Sequence, residues 1–450
     1  MKTIYVIVSV LIGILVGAGV GWLSKPAVEV PGATVTAPGV TVTQTVAGPT
    51  VTKTVTPEVP VGLTGEVKIG WVDGLTGGNA FWGEQAITTA RIALEEVNQY
   101  LTETGAGWTM TLVVEDSGTK PDVALDKLKS LHAMGITIVS GWGTSGDLRG
   151  SMSYADANKI LLLSYGSTAI DLAVEGDYTY RLMPTSVQEG KMLASLSVYK
   201  GIEYLIPLWR GDAWGDSVVT ATRASCAEVG IEVDEGVRYS PDAVEFSAEA
   251  STLNSRVLDA IGKYGADKVG WFIVCFEEGK AIYEALAAYN PLGWGINWLT
   301  NDGPSLCDWV VESSIIAEIV SKADCIFPAK MPTPSGKMEA VQEEVEARLG
   351  RTADLYGLNG YDCVWTLALA LLAADRYDAD AVKAQLPMVF ESYQGVGGWS
   401  PLDRYGDRSG RNFGLYKVAE IEGVYRWVQA GMWDFGTEAV SWLPEYTVVY

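Results

Sequence analysis

At 450 residues the chain exceeds what one ordinary core serves and is long enough for two lobes with further segments. With 48% hydrophobic and 19% charged residues, and with 16 Trp and 21 Tyr, most of it can bury enough apolar surface to fold. The net charge of −23 repels phosphate backbones and anionic lipid surfaces, which leaves no place for nucleic acid as a partner.

Residues 4–23, "IYVIVSVLIGILVGAGVGWL", carry no charge and suffice to cross a hydrocarbon core of about 30 Å as a helix. No A-x-A cleavage site and no lipid-accepting cysteine follows, so residues 1–25 read as an N-terminal transmembrane anchor in preference to a cleaved signal. Residues 26–62 form a linker of Thr, Val and Pro. Prolines at 31, 38, 49, 57 and 60 would break a strand ladder and keep the chain extended, as in O-glycosylated spacers. The body is therefore expected outside the plasma membrane, tethered to the cell surface.

From residue 63 short apolar runs alternate with amphipathic stretches. "EVKIGWVDG" predicts a strand, "WGEQAITTARIALEEVNQYL" a helix, "WTMTLVVEDS" a strand, and "KPDVALDKLKSLHAMG" a helix with Pro121 in its first turn. "ITIVSGW", "LRGSMSYADANK" and "ILLLSYG" continue the pattern. After "YRLMPTS" it resumes with "IEYLIPLWR", "WGDSVVTATRASCAEVG", "IEVDEGVRYS", "VLDAIGKYG", "DKVGWFIVCF", "GKAIYEALAAYN" and "NWLTNDG". The expected fold class is α/β, with two doubly wound, Rossmann-like lobes around parallel sheets.

His132, the single histidine, reads as an ordinary helix residue, and the five cysteines form no CxxC pair, so neither a metal site nor a thioredoxin-like site is expected. Cys307 and Cys325 are near enough in sequence to bridge in an oxidising compartment, but spacing leaves this open. With one histidine and no G-x-S-x-G, hydrolysis is not expected.

Doubly wound sheets bind ligands beyond the carboxyl ends of their strands. There "SGWGTSGD" offers Thr144 and Ser145 to an anion, and the next strand ends in "SYGSTAIDL" with Ser164, Ser167 and Thr168. A plain turn with a helix cap would use the same residues. Trp82 in "GLTGGNAFWGEQ" and Trp214 in "PLWRGDAWGDSV" stand at corresponding turns of the two lobes, where indoles can clamp a ligand or pack against helix ends. Trp142 and Trp209 suit packing better. Asp302 in "WLTNDGPSL" ends a second-lobe strand, where a lone carboxylate can pair with a ligand ammonium or cap a helix.

These motifs, in this order, resemble the substrate-binding proteins of branched-chain amino-acid ABC transporters, the type I periplasmic binding proteins, through most of residues 66–430. "KIGWVDGLTGGNAFWGEQ" is similar to the family's opening strand and loop, "LLLSYGSTAIDL" to its Ser-Pro-x-Ala-Thr loop, "DAWGDS" to its tyrosine-glycine turn and "NDG" to its acidic loop. "RLMPTSVQEG" resembles the first crossover between lobes, and "NGYDCVWTLALAL" a late first-lobe helix.

The resemblance implies lobes joined by hinge strands: lobe 1 from 63–184 and 327–395, and lobe 2 from 185–326 and 396–450, the last with a C-terminal tail of no assigned role. It implies no enzyme activity and no cofactor. Ser145 beside Thr144, and Ser167 with Thr168, would hold a ligand carboxylate. Trp82 and Trp214 would cover the ligand, Asp302 would meet an α-ammonium, and Phe276 is the nearest aromatic where the family has one after "WFIV". Tyr165 in place of the usual proline, and Asp302 where a longer Glu is common, are departures that touch ligand identity. The implied function is capture of an amino acid with an apolar side chain, or a related compound, for delivery to an ABC transporter permease. A ligand-sensing ectodomain or a structural surface protein is the alternative.

Overall fold

The computed structural model describes residues 62–449; the expected membrane segment and nearly all of the linker lie outside the described residues. Lobe 1 opens with β1 (Gly65–Asp73), α1 (Ala80–Thr104), β2 (Trp108–Asp116), α2 (Pro121–Ala133), β3 (Ile138–Gly141), α3 (Ser145–Asn158), β4 (Leu161–Ser164) and β5 (Thr179–Arg181). The strands form one parallel sheet in the order β2-β1-β3-β4-β5. Alternate side chains serve opposite faces, as the two-residue period of a strand requires. Ile69, Trp71, Leu161 and Leu163 enter one core cluster, while Val72, Val139 and Leu162 enter another with Leu128 and Leu148.

The chain crosses into lobe 2 with α4 (Val187–Tyr199), β6 (Tyr204–Arg210), α5 (Ala213–Glu228), β7 (Glu232–Val233), β8 (Val237–Tyr239), α6 (Ser247–Tyr264), β9 (Val269–Val274), α7 (Gly279–Ala287) and β10 (Asn297–Thr300). A second parallel sheet runs β10-β9-β6-β7, with β8 also on β6. Two short helices, α8 (Asp308–Glu312) and α9 (Ser314–Lys322), precede β11 (Phe327–Lys330).

Lobe 1 then receives α10 (Gly336–Leu349), α11 (Leu355–Ala374), α12 (Ala379–Ser392) and the small hairpin β12 (Gln394–Gly395) and β13 (Gly398–Trp399). The apolar α11 has the length of a membrane span, yet its Leu358, Tyr361, Val364 and Leu367 are buried in the lobe 1 core beside Ile87 and Ala90 of α1. The chain ends in β14 (Phe413–Ile421), β15 (Val424–Asp434) and β16 (Ala439–Val448).

Strands β11, β14, β15 and β16 form an antiparallel sheet, an addition to lobe 2 that the doubly wound expectation lacks. It places residues 327–330 with lobe 2, a few residues past the expected crossing at 326. It also places the tail, as the end of β15 and the edge strand β16. The segment after 396 stays on lobe 1 for longer than expected. Asp407 makes a buried two-pronged ion pair at 2.5 Å with Arg181 of β5, and Arg408 donates to the Leu182 carbonyl and Asn359 Oδ1 at 3.2 and 3.0 Å.

All five cysteines are buried free thiols, so Cys307 and Cys325 do not bridge. His132 sits on α2 with Nδ1 2.8 Å from the Tyr154 hydroxyl, an ordinary helix contact.

Candidate functional site

The carboxyl ends of β1, β3 and β4 converge on one wall. Thr144 caps α3, its hydroxyl accepting from the Asp147 N–H at 3.2 Å. Ser145 Oγ accepts from the Thr168 and Ala169 N–H groups at 3.2 and 3.1 Å and lies 3.0 Å from Ser167 Oγ. The two hydroxyl loops are thus tied together, as expected of neighbouring strands. Thr144 and Ser145 line the cavity; Ser167 and Thr168 stand buried behind them, Thr168 Oγ1 accepting from Ser186 at 3.1 Å.

Trp142, at φ 58°, turns away from the cleft and is fully buried between Val139, Leu148 and Leu172. It buttresses the loop from behind while Gly143 faces the ligand side. A Cβ at Gly143 would lie 2.6 Å from Asn79 Nδ2 and 2.7 Å from Asp73 Oδ1, which is why glycine stands there.

Asp73 ends β1 fully buried. Its Oδ1 accepts from the Gly74 and Gly143 N–H groups at 2.9 and 3.3 Å and from Asn79 and Tyr165 at 3.2 and 3.1 Å, and its Oδ2 has no partner among the described residues. Burial pushes its carboxyl up to about 7, against the lowering effect of the Tyr165 hydroxyl and the two N–H groups.

The facing wall is aromatic. Asp212 caps α5, accepting from the Trp214 and Gly215 N–H groups at 3.1 and 2.9 Å, and this cap sets Trp214 at the cleft. The Trp214 ring stacks on Phe276 with centroids 4.4 Å apart and planes 4° from parallel. Trp82 of α1 reaches over from lobe 1 to lie 5.5 Å from Phe276, held by its indole N–H on Asp354 Oδ2 at 3.2 Å. Trp209 is elsewhere, donating to Asp216 at 2.9 Å under the Arg223 guanidinium.

Asp302 follows β10 and lines the cavity beside Gly303, where a Cβ would strike the Cys275 carbonyl and the Trp214 ring. It is not the lone carboxylate expected. Lys330 Nζ binds its Oδ2, the Tyr356 hydroxyl donates to that same oxygen at 2.6 Å, and Asn301 Nδ2 donates to Oδ1 at 3.1 Å. The cavity these residues line is small in this structure, about 30 Å³, below the range of ligand-filled pockets. No metal-binding cluster occurs among the described residues, and the site presents apolar walls, hydroxyls and one carboxylate, a set suited to holding a small molecule.

Sequence reasoning missed Asn79, Tyr356, Lys330 and Glu189, and met Tyr165 only as a departure from the usual proline. Lys330 carried one usable sign, a lysine closing the apolar run "CIFPAK". Tyr356 lay just before a motif already singled out. Glu189 had none, since an acid in a helix's first turn is commonplace.

The profile of the periplasmic binding protein family matches residues 66–422. The chain belongs to that family. Its members are extracytoplasmic solute-binding proteins that hold small molecules without catalysis and work with ABC transporter permeases. Among relatives, the uncharacterized protein MJ1266 of Methanocaldococcus jannaschii is 27% identical over 394 residues, covering 84% of this chain and 91% of that one. The fold is similar to that of the leucine binding protein LivK from Thermotoga maritima, with a TM-score of 0.67 and 18% identity over 80% of this chain and 97% of that one. It is also similar to an ABC transporter solute binding protein from Rhodopseudomonas palustris in complex with 3,4-dihydroxybenzoic acid, with a TM-score of 0.63 and 15% identity over 84% and 96% of the two chains. At such identities these two structures speak for the fold alone.

Proposed function

We propose that this periplasmic binding protein captures one small carboxylate, an amino acid or a related organic acid, between its lobes and delivers it to an ABC transporter permease. The observation that carries the reading is the meeting of Trp82 from lobe 1 with Phe276 and Trp214 from lobe 2, over a cavity that Ser145 and Asp302 line from opposite lobes. Thr144 and Ser145, backed by Ser167 and Thr168, receive the carboxylate. Trp82, Trp214 and Phe276 cover the body of the ligand, and Asp302 takes its second polar group. A ligand touching both lobes favours the closed form by its extra contacts, and closure presents the surface a permease reads. Residues 1–25 anchor the protein and residues 26–62 space it from the membrane.

One similar structure is a leucine binding protein and another holds 3,4-dihydroxybenzoic acid, so aliphatic amino acids and hydroxybenzoic acids are the ligand ranges to test first. Thermal shift on residues 62–449 against a panel of both tests the reading. A ligand at about 100 times its Kd adds about 2.7 kcal/mol to stability. A panel without any response would point to a structural surface role.

A further inference from the structure

Asp302 stands at the position from which the binding reading expects recognition of an α-ammonium, yet its charge is already met. The ammonium of Lys330 contacts Asp302 Oδ2, Glu189 Oε1 at 2.5 Å and the Tyr356 hydroxyl at 2.9 Å, which occupies all three of its N–H donors. The Lys330 and Glu189 side chains are fully buried and that of Asp302 is 2% exposed, with the Tyr356 and Phe413 rings 5.3 and 5.1 Å from the lysine nitrogen. Little water screens these charges, so their pairing is strong and a second cation beside Lys330 meets direct repulsion.

We propose that the bound solute is a carboxylate whose second polar group is an uncharged hydroxyl rather than an ammonium, and that Lys330 sets this choice. The proposal rests on the solute-binding reading above. Asp302 Oδ1, which accepts from Asn301, retains a lone pair for a neutral O–H donor. Such a donor adds no charge to the cluster. An ammonium would have to leave water for a carboxylate already compensated.

The second acid does not change this balance. Glu189 Oε2 has no partner among the described residues, and burial first, then the charge of Asp302, raise the Glu189 carboxyl so that it tends to keep a proton. One lysine then balances one carboxylate. The aromatic wall suits an apolar or aromatic body on the same ligand.

Calorimetry on residues 62–449 with matched pairs tests the assignment: L-leucine against 2-hydroxy-4-methylpentanoate, and L-phenylalanine against 3-phenyllactate, with 4-hydroxybenzoate as a phenolic probe. We expect the hydroxy acids, or 4-hydroxybenzoate, to bind at least about tenfold tighter than either amino acid, a difference of about 1.4 kcal/mol. In the double variant Lys330→Met with Glu189→Gln, Asp302 is the one charge left, and the preference should invert by a similar factor. Glu189→Gln alone retains the Lys330–Asp302 pair and should keep the wild-type preference. Tighter binding of the amino acids by the wild type, with proton release from Glu189, would overturn the assignment of Lys330 and leave solute binding intact. Binding of none of the five compounds would overturn the small-carboxylate reading, and the proposal with it.

Discussion

The Tyr356 hydroxyl donates to Asp302 Oδ2 at 2.6 Å, joining the first turn of a lobe 1 helix to the ligand loop of lobe 2. Lobe opening would break this bond and return a buried carboxylate oxygen to water. Tyr356→Phe removes this bond and the acceptor for one Lys330 N–H while keeping the ring, so closure loses its inter-lobe hydrogen bonds without loss of packing. We expect affinity for the bound carboxylate to fall about tenfold, with the melting temperature of the free protein nearly unchanged. Unaltered affinity by calorimetry would show that closure does not depend on this contact.

Trp214 and Trp209 flank one turn but serve different ends. Trp214 stacks on Phe276 at the cavity, whereas Trp209 packs outside it with its indole N–H on Asp216. Trp214→Ala should weaken ligand binding about 100-fold, as truncation of a central aromatic contact commonly does, and Trp209→Ala should change it by less than about threefold while lowering stability. The reverse order of affinities would put the ligand on the other side of the turn.

Stability should rise, not fall, as the solution is acidified from neutrality. Burial raises Asp73 to about 7 and Asp147, Asp354 and Asp362 to about 6, against 3.8 for an ordinary aspartate. Between about pH 4 and pH 7 the folded state therefore binds protons that the unfolded chain has released, and stability declines as pH rises through that window. The net charge of −23 at neutral pH acts in the same direction. Melting temperature should be higher at pH 5 than at pH 7.5. Asp73→Asn, which puts a donor where Oδ2 lacks a partner, should flatten part of the slope. A melting temperature that climbs steadily to pH 7.5 would contradict the buried-acid account.

The thiols give a simple check. All five cysteines are buried, and burial pushes each thiol above its ordinary value of 9.0. A thiol reagent should find none of them in the folded protein and all five in denaturant. A count of three in denaturant would reveal a bridge.

What the sequence makes legible follows from how local each signal is. Both parallel sheets show in the alternation of apolar runs and amphipathic stretches, because a strand buried on both faces leaves its mark in consecutive residues such as "LLLS" of β4. Helix caps at Thr144 and Asp212 are equally local, and they mark the cleft because doubly wound sheets gather helix N-termini there. Lys330 is different. Its partners lie 141 and 28 residues away, so nothing near it in the chain says that it neutralises Asp302 instead of lying along the surface. The antiparallel sheet is hidden for the same reason: β11 pairs with β14, more than 80 residues on, and residue pattern alone does not name a strand's partner.

The central claim is that one small carboxylate is held between the lobes against Trp214. Native mass spectrometry of residues 62–449, mixed with the carboxylate that gives the largest thermal shift, tests it most directly. The account predicts one bound molecule per chain in the wild type and little or none in Trp214→Ala at the same concentration. Equal occupancy of the two proteins, or several molecules bound per chain, would contradict it.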